Sequence, residues 1–396
     1  MSPKSTGEIG PLFQYLQPLE EAVNEIANTW RPNDPEYRAD VYRQIMMQFS
    51  YGYFAFFHAD PEHPDWAPLW NPVYTLQPNP DDIYLYCPIS SDYQYRISGN
   101  RGTVYMTTFT TQLSLSGMPW ENDRTGEYYN DIDSGDLHVE PDGSFELLLS
   151  KEKPAGHTGN WLKIAEGARV LMTRYRSYDW ENEVDPSMSI ECLDPVGLKP
   201  RLTPDDILKR IDDMAWMPVR CQKMFYEMQN AIKRKVGVNV FDPVKLGGSF
   251  TRQVYLPTCY ELEDGEALII ETDLPAQRRY WNFQLNDPYF NATEYVYRLS
   301  STNGHFARVS SDGKFRAVIA LEDPGVPNWL DPAGFKQGTV YGRWYDCDSH
   351  PTPTIKRVRL SELRDHLPAD TPVVTPDERA EELRRRVRAC QRRRRW

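Results

Sequence analysis

Two adjacent carboxylates, Asp81 and Asp82, close a long Pro-rich stretch in the run Asn79-Pro80-Asp81-Asp82-Ile83-Tyr84. A carboxylate pair at the mouth of a strand has the parts for general acid/base chemistry or for holding a cation. Asn and Asp there also form Asx turns that satisfy loop backbone groups. Further on, Thr302-Asn303-Gly304-His305 sets an imidazole in a loop. Histidine titrates nearest neutrality, so His305 is the natural proton carrier. Asn303 beside it can orient the ring or donate to a developing oxyanion. The structural alternative is an Asn-Gly turn with a hydrogen-bonding His at its edge. Read as catalytic, the set is His305, Asp81, Asp82 and Asn303.

A binding set accompanies it: Tyr84, Trp281, Gln284 and Arg343. From Trp281 to Asn286, strict alternation sends Trp281, Phe283 and Leu285 to one face and Asn282, Gln284 and Asn286 to the other. That polar face either meets solvent or lines a pocket. Arg174 and Arg343 fall in matching runs with Asp179 and Asp346 nearby, a pattern for structural ion pairs or for a clamp on a substrate carboxylate. His58 and His63 lie among Pro61 and Pro64 in a loop with no third ligand set, so no metal is expected. The chain has no P-loop, dinucleotide-binding glycine motif, G-x-S-x-G elbow or H-E-x-x-H. No cofactor is therefore expected, and NTP hydrolysis, nicotinamide chemistry, α/β-hydrolase chemistry and zinc proteolysis are disfavoured.

Elements must hold these groups, and composition sets their kind. The 396 residues are 40% apolar and 26% charged, ordinary for a globular chain with room for two or three domains. Aromatics at 13%, with 24 Tyr and 11 Trp, suit packed sheets and pockets for apolar or ring-shaped ligands. Net charge is −12, although residues 381–396 hold eight Arg against two Glu. An acidic body is a poor partner for nucleic acid, because phosphate neutralisation supplies most of that affinity. The Arg run reads as a solvated helix end, or as docking on an acidic face of a neighbouring subunit, which would make a homo-oligomer through the C-terminal helix. The six Cys form no C-x-x-C pair. No stretch is apolar enough to span a bilayer, and the N-terminus lacks a basic-then-apolar signal. A cytoplasmic protein with reduced thiols is expected.

Residues 1–71 read as a helical region and loop, 72–199 as a first β unit, 200–238 as a helical connector, 239–368 as a second β unit and 369–396 as a C-terminal helix with its Arg-rich tail. Pro35 to Phe57 carries an apolar stripe of Val41, Ile45, Phe49, Tyr53 and Phe56, with Asp34 as its N-cap. Thr203-Pro204 opens the connector helix with Asp206 at the capping-box position, and Pro218 should kink or split it. Thr375 to Glu378 is a capping box for the last helix. Short alternating runs fill both β units, LHV (137–139) and FARVS (306–310) among them, and turn formers separate them.

The β units echo each other. Asp142–Asp179 and Asp312–Asp346 both run Asp-Gly, strand, Pro/Gly loop, Asn-Trp-Leu, strand with Arg and Tyr. Phe109 to Phe283, Asp142 to Asp312 and Arg174 to Arg343 hold an offset of about 170 residues. Asn-Trp-Leu, used twice, reads as scaffold, with Trp filling the sandwich end and the Asn amide capping the turn. The expected fold is mainly β with flanking helices: two related sandwich or jelly-roll-like units separated by a helical segment.

With Asn79 to Tyr84, WNFQLND (281–287), SSTNGHFARVSSDGKF (300–315) and DPGVPNWLDPAGF (323–335), the chain resembles bacterial proteins containing domain of unknown function 1214, related to the 1254 domain family. The resemblance spans roughly residues 35–390; STNGH here stands where SLNGH is usual, with Asn and His kept. It implies helices around sandwich or jelly-roll domains and an association with small-molecule catabolism. The expected function is cofactor-independent acid/base chemistry of lyase, hydrolase or isomerase type on an apolar or aromatic small molecule. The alternative is a non-catalytic binding or assembly protein.

Overall fold

The computed structural model describes residues 9–27, 33–119, 128–242 and 252–393. Arg394 and Arg395 of the tail, and residues 243–251 of the second β unit, lie outside them. Helices α1 (Leu12–Tyr15), α2 (Gln17–Ala27) and α3 (Pro35–Phe57) lead the chain. Asp34 caps α3 as expected, its Oδ1 accepting from the Glu36 and Tyr37 amides at 3.0 and 3.2 Å. The apolar stripe holds at Val41 and Ile45 but not at Tyr53, which is exposed. Steps of four residues overshoot the helical turn, so burial passes instead to Gln48, Tyr51 and Ala55.

The first β unit contains β1 (Ala67–Pro68), β2 (Asp82–Pro88), β3 (Tyr95–Asn100), β4 (Met106–Gln112) and β5 (Tyr128–Asp133). It continues with β6 (Ser144–Ser150), β7 (Trp161–Lys163), β8 (Val170–Arg176) and β9 (Ser187–Cys192). Helix α4 (Pro204–Lys235) follows. The second unit contains β10 (Gln253–Glu261), β11 (Glu266–Thr272), β12 (Arg278–Asn286) and β13 (Ser301–Asn303). After these come β14 (Phe315–Ala320), β15 (Trp329–Leu330), β16 (Gln337–Cys347) and β17 (Thr354–Arg359), and α5 (Pro376–Arg392) closes the chain.

The expected repeat is present: among the described residues every strand but β1 has its counterpart in the other unit. The first unit's sheets run β1-β2-β8-β4-β5 and β7-β6-β3-β9; the second's run β10-β16-β12-β13 and β15-β14-β11-β17. Register repeats too: Phe109 faces Thr173 and Phe283 faces Gly342, each one residue before the corresponding Arg174 or Arg343. Asn160 donates to the His138 and Glu146 carbonyls and accepts from the His138 amide; Asn328 does the same with Arg308 and Arg316. These amides take the backbone groups of LHV and FARVS, which is why neither run forms a strand. Val309 makes only an isolated bridge to Phe315.

Each unit is a sandwich with its own core. Cys87, Phe109 and Leu171 meet Tyr95, Ile97 and Leu147 in the first; Trp281, Phe283 and Trp344 meet Leu268, Ile270 and Phe315 in the second. Burying one such side chain contributes about 1.5–3 kcal/mol relative to exposure. The opposite faces of the two inner sheets confront each other, and α4 lays Met217, Cys221 and Phe225 against Tyr84, Tyr86 and Tyr341 beside them. The Thr203–Asp206 capping box forms, but Pro218 does not split α4. Its neighbours Met217 and Val219 are buried, and that packing outweighs the lost hydrogen bond. Among the described residues no helix is long and apolar enough to cross a membrane.

Candidate functional site

Alternation along β2, β8, β12 and β16 sends a polar row to the facing sides of the inner sheets. Asp82 stands opposite Arg176 and Tyr84 opposite Arg174; Asn282 stands opposite Arg343 and Gln284 opposite Tyr341. All are buried, with Asn282, Gln284 and Asn286 at 0% exposure. The polar face of WNFQLN is therefore interior.

Asp81 sits where the units meet. Its Oδ1 accepts from Trp180 Nε1 at 2.8 Å and Asn303 Nδ2 at 2.7 Å; its Oδ2 accepts from the Tyr280 hydroxyl at 2.5 Å and Asn282 Nδ2 at 3.2 Å. Burial raises its pKa above the usual carboxylate value, and the hydrogen bonds from Tyr280 and Asn303 only partly offset that. Asn79 braces the same loop, donating to the Tyr280 hydroxyl at 2.8 Å and accepting from Asn282 at 2.7 Å.

Asp82 has a different partner. Arg176 grips it with Nε and Nη2 at 2.6 and 2.7 Å, both residues fully buried. Burial alone would raise this carboxyl, but Arg176 outweighs it, with Arg174 and Arg343 adding to the pull, and its pKa lies below the usual value. The Arg176 guanidinium lies 4.2 Å from the Tyr280 ring centre.

Arg343 is 4% exposed and, among the described residues, bonds only neutral amides, Gln284 Oε1 at 2.6 Å and Asn282 Oδ1 at 3.3 Å. Among the described residues no carboxylate forms an ion pair with it. Its guanidinium lies 5.6 Å from the Tyr255 ring centre and 5.8 Å from that of Tyr341, while Arg174 lies 5.4 Å from Tyr84. Thr108, the cross-strand neighbour of Arg174, is buried, and among the described residues its hydroxyl and that of Thr110 have no partner.

Of the residues singled out from sequence, Asp81, Asp82, Asn303, Tyr84, Gln284 and Arg343 enter this one network. Trp281 points the other way, into the second unit's core against Phe315 and Trp344. His305 sits at the rim, 43% exposed, with Nε2 3.7 Å from Asp179. Its backbone amide donates to Asn303 Oδ1 at 2.9 Å, so Asn303 joins the rim to Asp81. Among the described residues, Asp179 and Asp346 do not form the expected pairs with Arg174 and Arg343: Asp179 faces His305 and Asn182, and Asp346 faces Arg279.

Sequence reasoning missed the reach of the C-terminal helix, where the Arg run docks on its own chain. Arg386 donates to the Tyr295 carbonyl at 2.6 Å and the Ser301 hydroxyl at 2.7 Å, and Arg385 pairs with Glu181. Arg393 donates to the carbonyls of Pro80 and Asp81, and both Arg386 and Arg393 flank the Trp180 indole. The spacing of the tail gave no sign of these partners. At the other end of the inner sheets Asp133 accepts from Arg252 at 3.2 Å, Arg279 at 3.1 Å and the Tyr345 hydroxyl at 2.6 Å. Those three donors come from the second unit.

Compared with known proteins, the model of the family described as "Protein of unknown function (DUF1214)" matches residues 89–180 and 264–349. The crystal structure of an uncharacterized protein from Burkholderia cenocepacia is similar at a TM-score of 0.80 and 26% identity, over 88% of this chain and 96% of that one. The VPA0106 protein from Vibrio parahaemolyticus shares 12% identity at a TM-score of 0.46, over 88% of this chain and 98% of that one. No curated protein matches the chain.

Proposed function

We propose, from the premise that the chain belongs to the DUF1214 family and carries its unit twice, that it binds a small organic anion with an apolar or aromatic body between its inner sheets. One observation carries this reading: among the described residues, buried Arg343 hydrogen-bonds only neutral amides. Its charge also acts on Asp82, but that carboxylate is gripped by Arg176, and a ligand carboxylate would give Arg343 a bonded anion of its own. Tyr255, Tyr341 and Tyr84 offer ring faces beside the two arginines, and the Thr108 hydroxyl lies next to Arg174 as a further donor. Benzoate and octanoate, titrated calorimetrically into the intact protein, test it. Binding of either probe that Arg343→Gln abolishes, with the variant melting at or above wild type, supports the reading. Equal binding by wild type and variant overturns it.

A second reading, cofactor-independent lyase, hydrolase or isomerase chemistry on the same ligand, is favoured by Asp81. Its raised carboxyl shares a 2.5 Å hydrogen bond with Tyr280, a pair suited to holding and passing a proton. His305 and Asp179 at the rim would be a second, solvent-facing acid/base pair, and Asn303, bonded to the His305 backbone amide and to Asp81, would fix the two in relation to each other. Turnover that survives both Asp81→Asn and His305→Ala in folded protein removes this mechanism. Recovery of the bound molecule chemically unaltered after long incubation favours binding alone.

A further inference from the structure

A line of side chains along β12 and β16 leads away from Arg343. Arg343 Nη1 donates to Gln284 Oε1 at 2.6 Å, Gln284 Nε2 to Asn286 Oδ1 at 2.7 Å, and Asn286 Nδ2 to Thr339 Oγ1 at 3.1 Å. Every bond points the same way, from the cation outward. A threonine hydroxyl that accepts still carries a proton it can donate onward. Dipoles aligned in such a chain polarise one another, and the charge at Arg343 reinforces them.

Thr339 opens into a cavity of about 430 Å³ between α4 and the β10–β16 edge. Gln229, Lys233, Cys259, Glu261 and Gly338 help line it. Gln229 is 7% exposed, and among the described residues its Nε2 has no hydrogen-bond partner. An unmet buried amide donor is expensive unless something occupies the cavity. Lys233 and Glu261 pair at 2.8 Å at the rim and cancel in charge. What the interior offers is hydrogen-bond donors: the Gln229 amide, the Thr339 hydroxyl and, from the rim, the Lys233 ammonium.

We infer that this cavity is a second ligand site, separate from the arginine pair, which takes a small carboxylate on Gln229 and Thr339. One carboxylate oxygen would accept from the Gln229 amide and the other from the Thr339 hydroxyl. The aligned amide chain makes the hydroxyl a stronger donor than an isolated threonine.

Trifluoroacetate followed by ¹⁹F NMR on the intact protein tests the inference. Wild type should show a binding component that Gln229→Leu/Thr339→Val weakens about tenfold, the effect expected for lost hydrogen bonds to a charged group. Arg343→Gln should retain a component sensitive to these two substitutions, so loss of the arginine site alone is told apart from loss of this one. Both replacements are near in volume to the originals; if the double variant does not fold, Gln229→Met alone should still weaken the component. Identical titrations of wild type and the cavity variants overturn the inference. So does binding that Arg343→Gln abolishes completely and the cavity substitutions leave untouched.

Discussion

Arg393 donates to the backbone carbonyls of Pro80 and Asp81 at 2.9 and 2.6 Å, so the residue that caps the C-terminus of α5 clasps the loop that carries the buried carboxylates. Arg393 is only 5% exposed, and its guanidinium lies against Trp180, whose indole N–H donates to Asp81. Helix α5 thereby holds the loop, the indole and the rim in one arrangement.

Arg393→Ala is expected to destabilise the fold by about 2–4 kcal/mol, since two buried carbonyls lose charge-assisted donors. Urea denaturation followed by Trp fluorescence reads this as a lower midpoint. Truncation after Glu382, which also removes the Arg385 and Arg386 contacts, should lower it further. An unchanged midpoint in both variants would mean that the clasp contributes nothing.

Breaking the Asp82–Arg176 pair on one side should cost about 3–5 kcal/mol, because the other charge is left buried alone. Asp82→Asn and Arg176→Met are each expected to destabilise strongly, with the double substitution costing less than their sum. The folded-state pKa of Asp82 lies below its unfolded value. Its contribution is therefore present above the unfolded carboxyl value of about 3.9 and is lost as pH falls through the folded one. Acid unfolding of Asp82→Asn should show a correspondingly shallower pH dependence.

Asp287 should act with the opposite sign. Buried, it accepts from the Tyr289 and Asn291 amides and from Asn291 Nδ2, with Arg43 at 3.6 Å, yet burial dominates and lifts its carboxyl to about 6. The native state holds this proton more tightly than the unfolded chain does. Its contribution is full below the unfolded pKa of about 4 and is lost as pH rises through about 6, a change on the order of 2–3 kcal/mol. Thermal melts from pH 4 to 8 should show that decline, and Asp287→Asn should flatten it.

Gly304 has no room for a side chain: a Cβ there would stand 1.8 Å from the Tyr178 hydroxyl and 2.4 Å from Trp281 Nε1. Gly304→Ala is expected to cost about 1–3 kcal/mol through overpacking. It should also shift the His305 imidazole signals in NMR spectra. A variant with native stability would show that the loop yields freely.

The legible parts of this fold are those set by local chemistry. Asp34, Thr203 and Thr375 announced their helices because a cap needs one side chain at one offset, and all three caps form. The repeat was legible because register preserves spacing, as Phe109–Thr173 and Phe283–Gly342 show. Alternation sorted Trp281 from Asn282 correctly. It could not say that the Asn282 side is buried, because burial there depends on a sheet more than a hundred residues away in the chain. Proximity in sequence brought His305 and Asn303 into one proposal, yet only Asn303 reaches Asp81, since a β-strand end followed by an Asx turn carries His305 outward. Arg393 was illegible for the same reason as the burial: its acceptors are backbone carbonyls, which leave no mark in residue type.

The reciprocal contacts at the two ends of the inner sheets have a geometric consequence. Asp81 of the first unit meets Asn303 of the second, while Arg252 of the second meets Asp133 of the first, and these residues hold equivalent places before β2 and β10 and at the ends of β13 and β5. The arrangement is that of an isologous homodimer folded into one polypeptide, with an approximate dyad passing between Arg174 and Arg343. The dyad is broken in charge. A carboxylate caged by neutral donors lies at one end, and a carboxylate ringed by two arginines lies at the other. A molecule lodged on the axis would meet unlike poles and could be held in only one of its two orientations.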